Sequence, residues 1–455
     1  MPAHHETSLK RKVAGQGVLL FAGFGLAQAC SFTRNAMLGH LLSKGDFGIA
    51  ATITLTLQLL ETATDIAADR FIIQSDDSND RQLMGIAHAV QLMRGVVIAC
   101  VLWLVAPLIS GFFHVPEAAW GFQAAALALL VKGFTHLDSK RLQKQLDNRA
   151  AMLLEVVPQA GALLATWPAV MLWHSYESIV WLTLLQAGLG VVISHAVARQ
   201  GWWIAWNRAL VRRLAVFSWP IWLSAIPLMA VFQGDRMIIG HFFGVEALAG
   251  YTAVFMMTMV PGLIASRVSF SLVLPMLSQA KESHQKELFV TRLALLSEAT
   301  ALMTGLYAAL FLMAGGQIVI ITFGPKYQGL HAVVVALAVM WSTRMLQAVP
   351  GTALMALGRT DIFPIAGCIR AAALVPAFAL ALGGAGLAHV AAAGALGEAA
   401  SFIYVLRTLS VARPGSAGPV LLSAAALAVT IAVAGLLEWL LPAQSVVLAK
   451  GAQLG

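Results

Sequence analysis

Apolar runs of about twenty residues, separated by short polar stretches, recur along almost the whole chain. A helix needs ~20 such residues to cross a ~30 Å hydrocarbon layer, and the runs lack the short alternation of an outer-membrane barrel. The pattern predicts spans at 13–33, 46–68, 83–112, 118–137, 151–172 and 178–198, then at 214–234, 246–267, 290–314, 330–350, 362–383 and 386–406. One more run follows at 418–441, and the stretch after Pro442 is too short to cross.

A small motif repeats within this pattern. Gly39-His40, followed by Phe47-Gly48, comes after the first run, and Gly240-His241, followed by Gly250-Tyr251, comes a little under half of the 455-residue chain later. Six runs separate the copies. Because six is even, both halves enter the bilayer from the same side, which makes the repeat parallel. The expected architecture is all-α and polytopic, with six-helix lobes over 1–200 and 214–410. A basic linker at 201–213 joins them, and residues 411–455 form an extra C-terminal membrane segment and tail of one or two helices.

Composition supports the class and removes others. Hydrophobic residues make up 59% and charged residues 11% of the chain, with mean hydropathy +0.80, against ~25% charged in a soluble domain. The net charge of +8 therefore points to positive loops rather than to nucleic acid. Most Lys and Arg fall at the N-terminus and in even-numbered loops, so the amino terminus is expected in the cytoplasm. Lys10-Arg11-Lys12 and Ala27-Gln28-Ala29-Cys30 resemble a lipoprotein signal, but the matching run after residue 214 makes this an uncleaved first span. Cys30, Cys100 and Cys368 lie inside apolar runs without metal-ligand spacing and read as reduced packing residues. Neither a metal nor a cofactor is expected.

Two basic stretches have their own character. Lys140 to Leu146 places Leu142 and Leu146 one turn apart beneath cations, the pattern of a helix lying on an anionic leaflet. Trp202, Trp203 and Trp206, followed by Arg208, Arg212 and Arg213, read as interfacial anchors between the halves. The outer loops near 113–118, 173–178 and 383–386 are too short to fold, so any site must lie between helices.

Ionisable residues inside spans are expensive and are functional candidates by default. Arg94 and Arg370 are the deepest cations, while Arg34, Lys132, Arg267 and Arg344 lie nearer span ends. Together they could line a cleft that grips a phosphate or diphosphate, which Arg holds bidentately; the alternative is snorkelling to headgroups. Glu61, Asp65 and Asp69 recur at four-residue intervals and are expected on one face of the second span. With Glu298 and Glu398, Glu61 and Asp65 are candidates for ion coupling, or else for pairing with nearby arginines. Asp235-Arg236 closes the seventh span before Gly240-His241, and each is expected to pair with neighbouring helices. His40 and His241 read as packing residues. Pro220, Pro227, Pro261, Pro275, Pro107, Pro158, Pro350, Pro364 and Pro376 mark possible bends.

Several of these segments resemble a family. Arg34 to Gly39 with Asp46 to Ala50, Phe71 to Gln74, Asp235 to Gly240 with Gly250-Tyr251, Phe323 to Tyr327, and Gly358 to Thr360 are similar, in order, to segments of bacterial polysaccharide flippases of the O-antigen type. These belong to the multidrug, oligosaccharidyl-lipid and polysaccharide exporter superfamily. The likeness covers roughly residues 10 to 410. It implies two six-helix lobes around a central cavity open alternately to each side, and transport rather than enzymatic chemistry. The implied substrate is an undecaprenyl-diphosphate-linked oligosaccharide moved across the bacterial inner membrane for lipopolysaccharide or exopolysaccharide assembly, coupled to an ion gradient. Implied partners are the lipid-linked oligosaccharide, membrane lipids, a polysaccharide polymerase and other assembly proteins. The thirteenth run departs from the twelve or fourteen spans common in the family.

A diphosphate and its sugars cannot cross hydrocarbon unaided, since ions and unpaired polar groups cost many kcal/mol there. The nearest rival, a drug exporter for organic cations, favours an acidic aromatic cavity. A membrane polymerase or ligase would need a large outer loop. No Walker motif is present to supply nucleotide energy.

Overall fold

The computed structural model describes residues 2–75, 81–282 and 286–440. The side chains of 1–16, 18, 20, 224, 267–272, 281–282, 286 and 438–440 lie outside the described set. The described residues form helices α1 (Pro2–Leu41), α2 (Lys44–Ala63), α3 (Ala68–Gln74), α4 (Arg81–Phe112), α5 (Ala119–Gly133), α6 (Asp138–Lys144), α7 (Arg149–Trp173) and α8 (Glu177–Ala196). After an irregular connection come α9 (Arg208–Phe242), α10 (Gly244–Glu282), α11 (Lys286–Phe323) and α12 (His331–Ala356). The chain closes with α13 (Ile362–Ala372), α14 (Leu374–Leu382), α15 (Leu387–Ala412) and α16 (Ala417–Leu440).

Nine of the described helical segments are long and apolar enough to cross a membrane, or eleven if each bent pair counts as one span. The protein is a multi-pass membrane protein. Eleven of the expected spans correspond to these segments, including the run at 418–441, which is α16. The first two expected spans are helical as α1 and α2 but fall outside the set. In α2 the cause is visible: Lys44, Asp46, Glu61 and four threonines interrupt its apolar residues. Leu108 and Leu164 are 74% and 80% exposed on long apolar helices, the outward-facing side chains that lipid accommodates.

The chain divides into two compact units: Met1–Met229 with Gly244–Ala249, and Ala230–Phe243 with Gly250–Gly455. In the first, α4 packs on α5, α1 on α7, and both α5 and α7 on α8. Two glycines allow the α4–α5 approach. A Cβ on Gly95 would stand 2.9 Å from the Cα of Gly133, so the backbones touch where side chains would hold them apart. Gly48, in the first motif, similarly faces the Val245 carbonyl, which a Cβ would meet at 2.0 Å.

The connection after α8 is not a free linker. Trp203 lies against Gly85, and its indole donates to the Arg81 carbonyl at 2.7 Å. Trp203 also packs on the buried cluster of Phe71, Ile72, Met84, Leu137 and Leu214. Phe71 and Ile72 of the family-like segment thus serve as core, whereas Gln74 is exposed. Trp206 alone of the three tryptophans stays largely exposed. The 140–146 stretch departs from the expected surface helix. Leu142 is fully buried in protein, and Leu146 lies beyond α6 with a positive φ, so the two do not share an outer face.

In the second unit α12 packs on α11 and α15, α16 packs on α11, and α13 and α14 pack on α15. Gly397 is again the enabling residue, since a Cβ there would lie 3.2 Å from the Arg370 carbonyl. This contact brings α15 against the α13–α14 junction. Of the three cysteines, Cys100 and Cys368 are exposed and Cys30 is half-buried.

Candidate functional site

The chemistry of the first unit gathers where α2 ends. Ser43 caps the start of this helix by accepting from the Asp46 amide at 3.0 Å, and the helix stops at Ala63, leaving its last carbonyls unpaired within the helix. Arg94 of α4 meets them: Nη2 donates to the Glu61 carbonyl at 2.5 Å and Nε to Thr64 Oγ1 at 3.2 Å. A cation here also suits the negative end of the helix dipole. The Glu61 side chain turns to α5, where Lys132 Nζ lies 2.5 Å from its Oε1.

Glu61, Arg94 and Lys132 line a cavity of about 390 Å³ within the first unit, together with Lys140 and the apolar Ile98, Leu129 and Leu154. Its size falls within the ~300–1,000 Å³ of small-molecule sites. Gln186 of α8 also lines it and accepts from Arg34 Nη1 at 2.7 Å. The remaining Arg34 Nε is buried with no hydrogen-bond partner among the described residues. The cavity therefore carries both signs of charge beside an apolar wall.

The expected acidic ladder is broken. Glu61 is in the last turn of α2, Asp65 is in the following turn, and Asp69 is in α3, so they do not share one helical face. Asp65 accepts from the Ala67 amide at 2.9 Å, stabilising a turn in which Ala67 has φ of 50°. It also lies 3.5 Å from Arg70, and Asp69 lies 3.5 Å from Lys140. The four-residue spacing carried no information about a face because the helix ends at Ala63, between the first and second positions of the series.

A second charged group is buried in the second unit. Glu398 of α15 receives Arg344 Nε at 2.8 Å on Oε1 and pairs with Arg370 Nε at 3.0 Å on Oε2. Arg344 is also held between the rings of Phe232 and Trp341, at 4.8 and 4.7 Å. Nearby, Asp235 accepts from the Tyr251 hydroxyl at 2.5 Å and from the Arg236 amide at 2.7 Å. The Arg236 guanidinium turns instead to the Phe232 carbonyl at 2.7 Å and to Gln233, over the Phe255 ring. The cavity bounded by Asp235, Tyr251, Arg344, Arg370 and Glu398 has only about 30 Å³, room for about one water.

The other sequence candidates lie apart. Glu298 is exposed on α11, beside an apolar cavity of about 480 Å³ lined by Leu302, Leu306, Leu422 and Ser423. Gly39 and Gly240 are buried near helix ends, His40 is exposed, and His241 stacks edge-on against Phe242. The Arg267 side chain lies outside the described residues.

Sequence reasoning missed one cluster. His88, buried in α4, has its Nδ1 3.2 Å from the Trp203 carbonyl and accepts from the Leu137 amide on Nε2 at 3.1 Å. His136 does the same between the Gln200 carbonyl, 3.0 Å from Nε2, and the Asp138 amide, 3.1 Å from Nδ1. Asp138 in turn holds Arg141 and the Arg199 amide. The only signal was a histidine near one end of each of two apolar runs, His88 in 83–112 and His136 in 118–137.

Comparison with known proteins agrees with this architecture. Residues 37–332 match a family described as polysaccharide biosynthesis protein. The teichuronic acid biosynthesis protein TuaB of Bacillus subtilis is 23% identical over 334 residues, covering 72% of this chain and 68% of that one. The lipopolysaccharide biosynthesis protein WzxC of Escherichia coli is 21% identical over 417 residues, covering 89% and 79%. Among solved structures, the lipid II flippase MurJ in an inward closed conformation aligns with TM-score 0.70 at 10% identity, over 92% of this chain and 98% of that one. An inward-facing multidrug resistance MATE family transporter of the MOP superfamily aligns with TM-score 0.64 at 16% identity, over 88% and 96%. The two structural likenesses show a shared all-helical fold. With the family match covering well over half of its residues, the chain belongs to the polysaccharide biosynthesis protein family.

Proposed function

We propose that this protein flips an undecaprenyl-diphosphate-linked oligosaccharide across the bacterial inner membrane during surface-polysaccharide assembly. The transport runs by alternating access, coupled to an ion gradient, with the amino terminus in the cytoplasm. The observation that carries this reading is the first-unit cavity, where Arg94, Lys132 and Lys140 surround a space with an apolar wall. A phosphorylated lipid head needs that combination. Cations stabilise the phosphates, amides and hydroxyls replace water around sugars, and apolar surface tolerates the attached chain.

The remaining charged candidates take different parts in this proposal. Arg344 and Arg370 share the Glu398 carboxylate and lock α12, α13 and α15, rather than binding substrate or carrying an ion. Asp235 and Arg236 brace α9 against α10. Lobes at 1–200 and 214–410, with the first extended by the start of α9, descend from a duplicated six-helix half.

The test is a reconstituted assay. Proteoliposomes loaded with a lipid-linked oligosaccharide on one leaflet should expose its sugars to a lectin on the other only when the protein is present. If instead the vesicles move an organic cation dye and leave the glycolipid in place, the proposal fails.

A further inference from the structure

The Glu61–Lys132 pair in the lining of the first-unit cavity suggests how a ligand is admitted and released. Lys132 sits in the last turn of α5, held beside α4 by the Gly95–Gly133 approach, and its ammonium rests on the Glu61 carboxylate. Both side chains remain reachable, at 43% and 35% exposure. Glu61 is itself fixed by its backbone, because Arg94 grips its carbonyl and the Thr64 hydroxyl three residues on. The carboxylate can therefore swing about its own side chain without α2 moving.

We infer that Glu61 is a built-in competing anion: its carboxylate and a ligand phosphate contend for the ammonium of Lys132, with Lys140 and Arg94 completing the phosphate's surroundings. The inference rests on the flippase reading for the identity of that phosphate, but the competition does not. A diphosphate offers more charge and more acceptor oxygens than one carboxylate, so it can displace Glu61, and the displaced carboxylate remains close enough to return. A site with only cations would hold a diphosphate more tightly and release it more slowly. An internal anion lowers the affinity and so favours release, which a transporter requires at the end of each cycle.

The alternative is that Glu61 merely positions Lys132, and the two ideas predict opposite signs. If Glu61 competes, Glu61→Gln tightens phosphate binding. If it positions, the same change weakens it. An ion pair this exposed corresponds to an effect of about two- to fivefold in affinity.

The experiment uses the purified full-length protein in nanodiscs of phosphatidylcholine, with farnesyl diphosphate as probe and farnesol as control, read by titration calorimetry. Glu61→Gln should bind the probe about two- to fivefold more tightly than the unaltered protein, Lys132→Gln should bind it more weakly, and farnesol should not distinguish them. Glu61→Asp, which keeps the charge on a shorter arm, guards against a folding artefact and should fall between the unaltered protein and Glu61→Gln. A parallel set in nanodiscs doped with phosphatidylglycerol separates the two sources of phosphate. The same ordering with phosphatidylglycerol, and none with farnesyl diphosphate, keeps the competition but assigns it to a membrane headgroup, and the flippase reading then loses its main support. Weaker or unchanged binding by a folded Glu61→Gln with both phosphates overturns the inference whatever the transport assay gives.

Discussion

Arg94 Nη2 lies 2.5 Å from the backbone carbonyl of Glu61, thirty-three residues away on a neighbouring helix. The cation that looked deepest in the third span therefore closes the C-terminus of α2 and sets where the Glu61 carboxylate begins. Removing it should do more than subtract a charge. Arg94→Ala is expected to cost ~1.5–3 kcal/mol, the range for hydrogen bonds to charged groups, and to loosen the end of α2. Thermal unfolding in detergent checks the stability. Hydrogen exchange over residues 58–66 checks the location, and protection equal to that of the unaltered protein would remove Arg94 from this role.

The buried triad in the second unit makes an asymmetric prediction. Glu398 is 2% exposed and faces two arginines. Glu398→Ala leaves both cations uncompensated and should cost ~3–5 kcal/mol. Arg370→Met leaves Arg344 paired with Glu398 and should cost clearly less. Membrane abundance and melting temperature of the two variants give the order, and a reversed order would mean that Arg370, not Glu398, is the centre of the group.

Gly48 tests the family motif as geometry. The Val245 carbonyl occupies the place a methyl group would take, and backbone cannot step aside as a side chain can. Gly48→Ala is expected to destabilise the first unit by ~1–3 kcal/mol through overpacking. Gly111→Ala, on α4 with open space around it, serves as the comparison and should melt with the unaltered protein.

His88 tests the pinned connection. Its two ring nitrogens link the Leu137 amide to the Trp203 carbonyl, so His88→Phe fills the space but leaves both buried groups unpaired, at ~1–3 kcal/mol each. Limited proteolysis should then cut within residues 197–207 more readily than in the unaltered protein. His88→Gln, which retains a donor and an acceptor, should recover part of the protection.

Much of the helical layout was legible from the pattern of apolar runs. The spans at 151–172 and 178–198 correspond to Arg149–Trp173 and Glu177–Ala196, because a long apolar stretch in lipid must satisfy its backbone internally. The candidate site was only partly legible. Arg94, Lys132 and Glu61 stood out as ionisable residues in apolar runs, yet nothing local said that Arg94 would cap a helix or that Lys132 would rest on Glu61. Asp65 and Asp69 misled for the same reason: their spacing assumed a helix that the turn at 64–67 ends.

The sequence by itself determined that this chain lies in a membrane as a helical bundle, since hydropathy is a sum over neighbours in the chain and needs no partner. Only the tertiary structure decided which charge meets which. Glu398 finds Arg344 fifty-four residues away, and Glu61 finds Lys132 across seventy-one. Close helix approaches, such as Gly95 of α4 on Gly133 of α5, place the backbones that carry these groups. An ion pair depends on where two backbones cross, and that crossing depends on packing that no single helix contains.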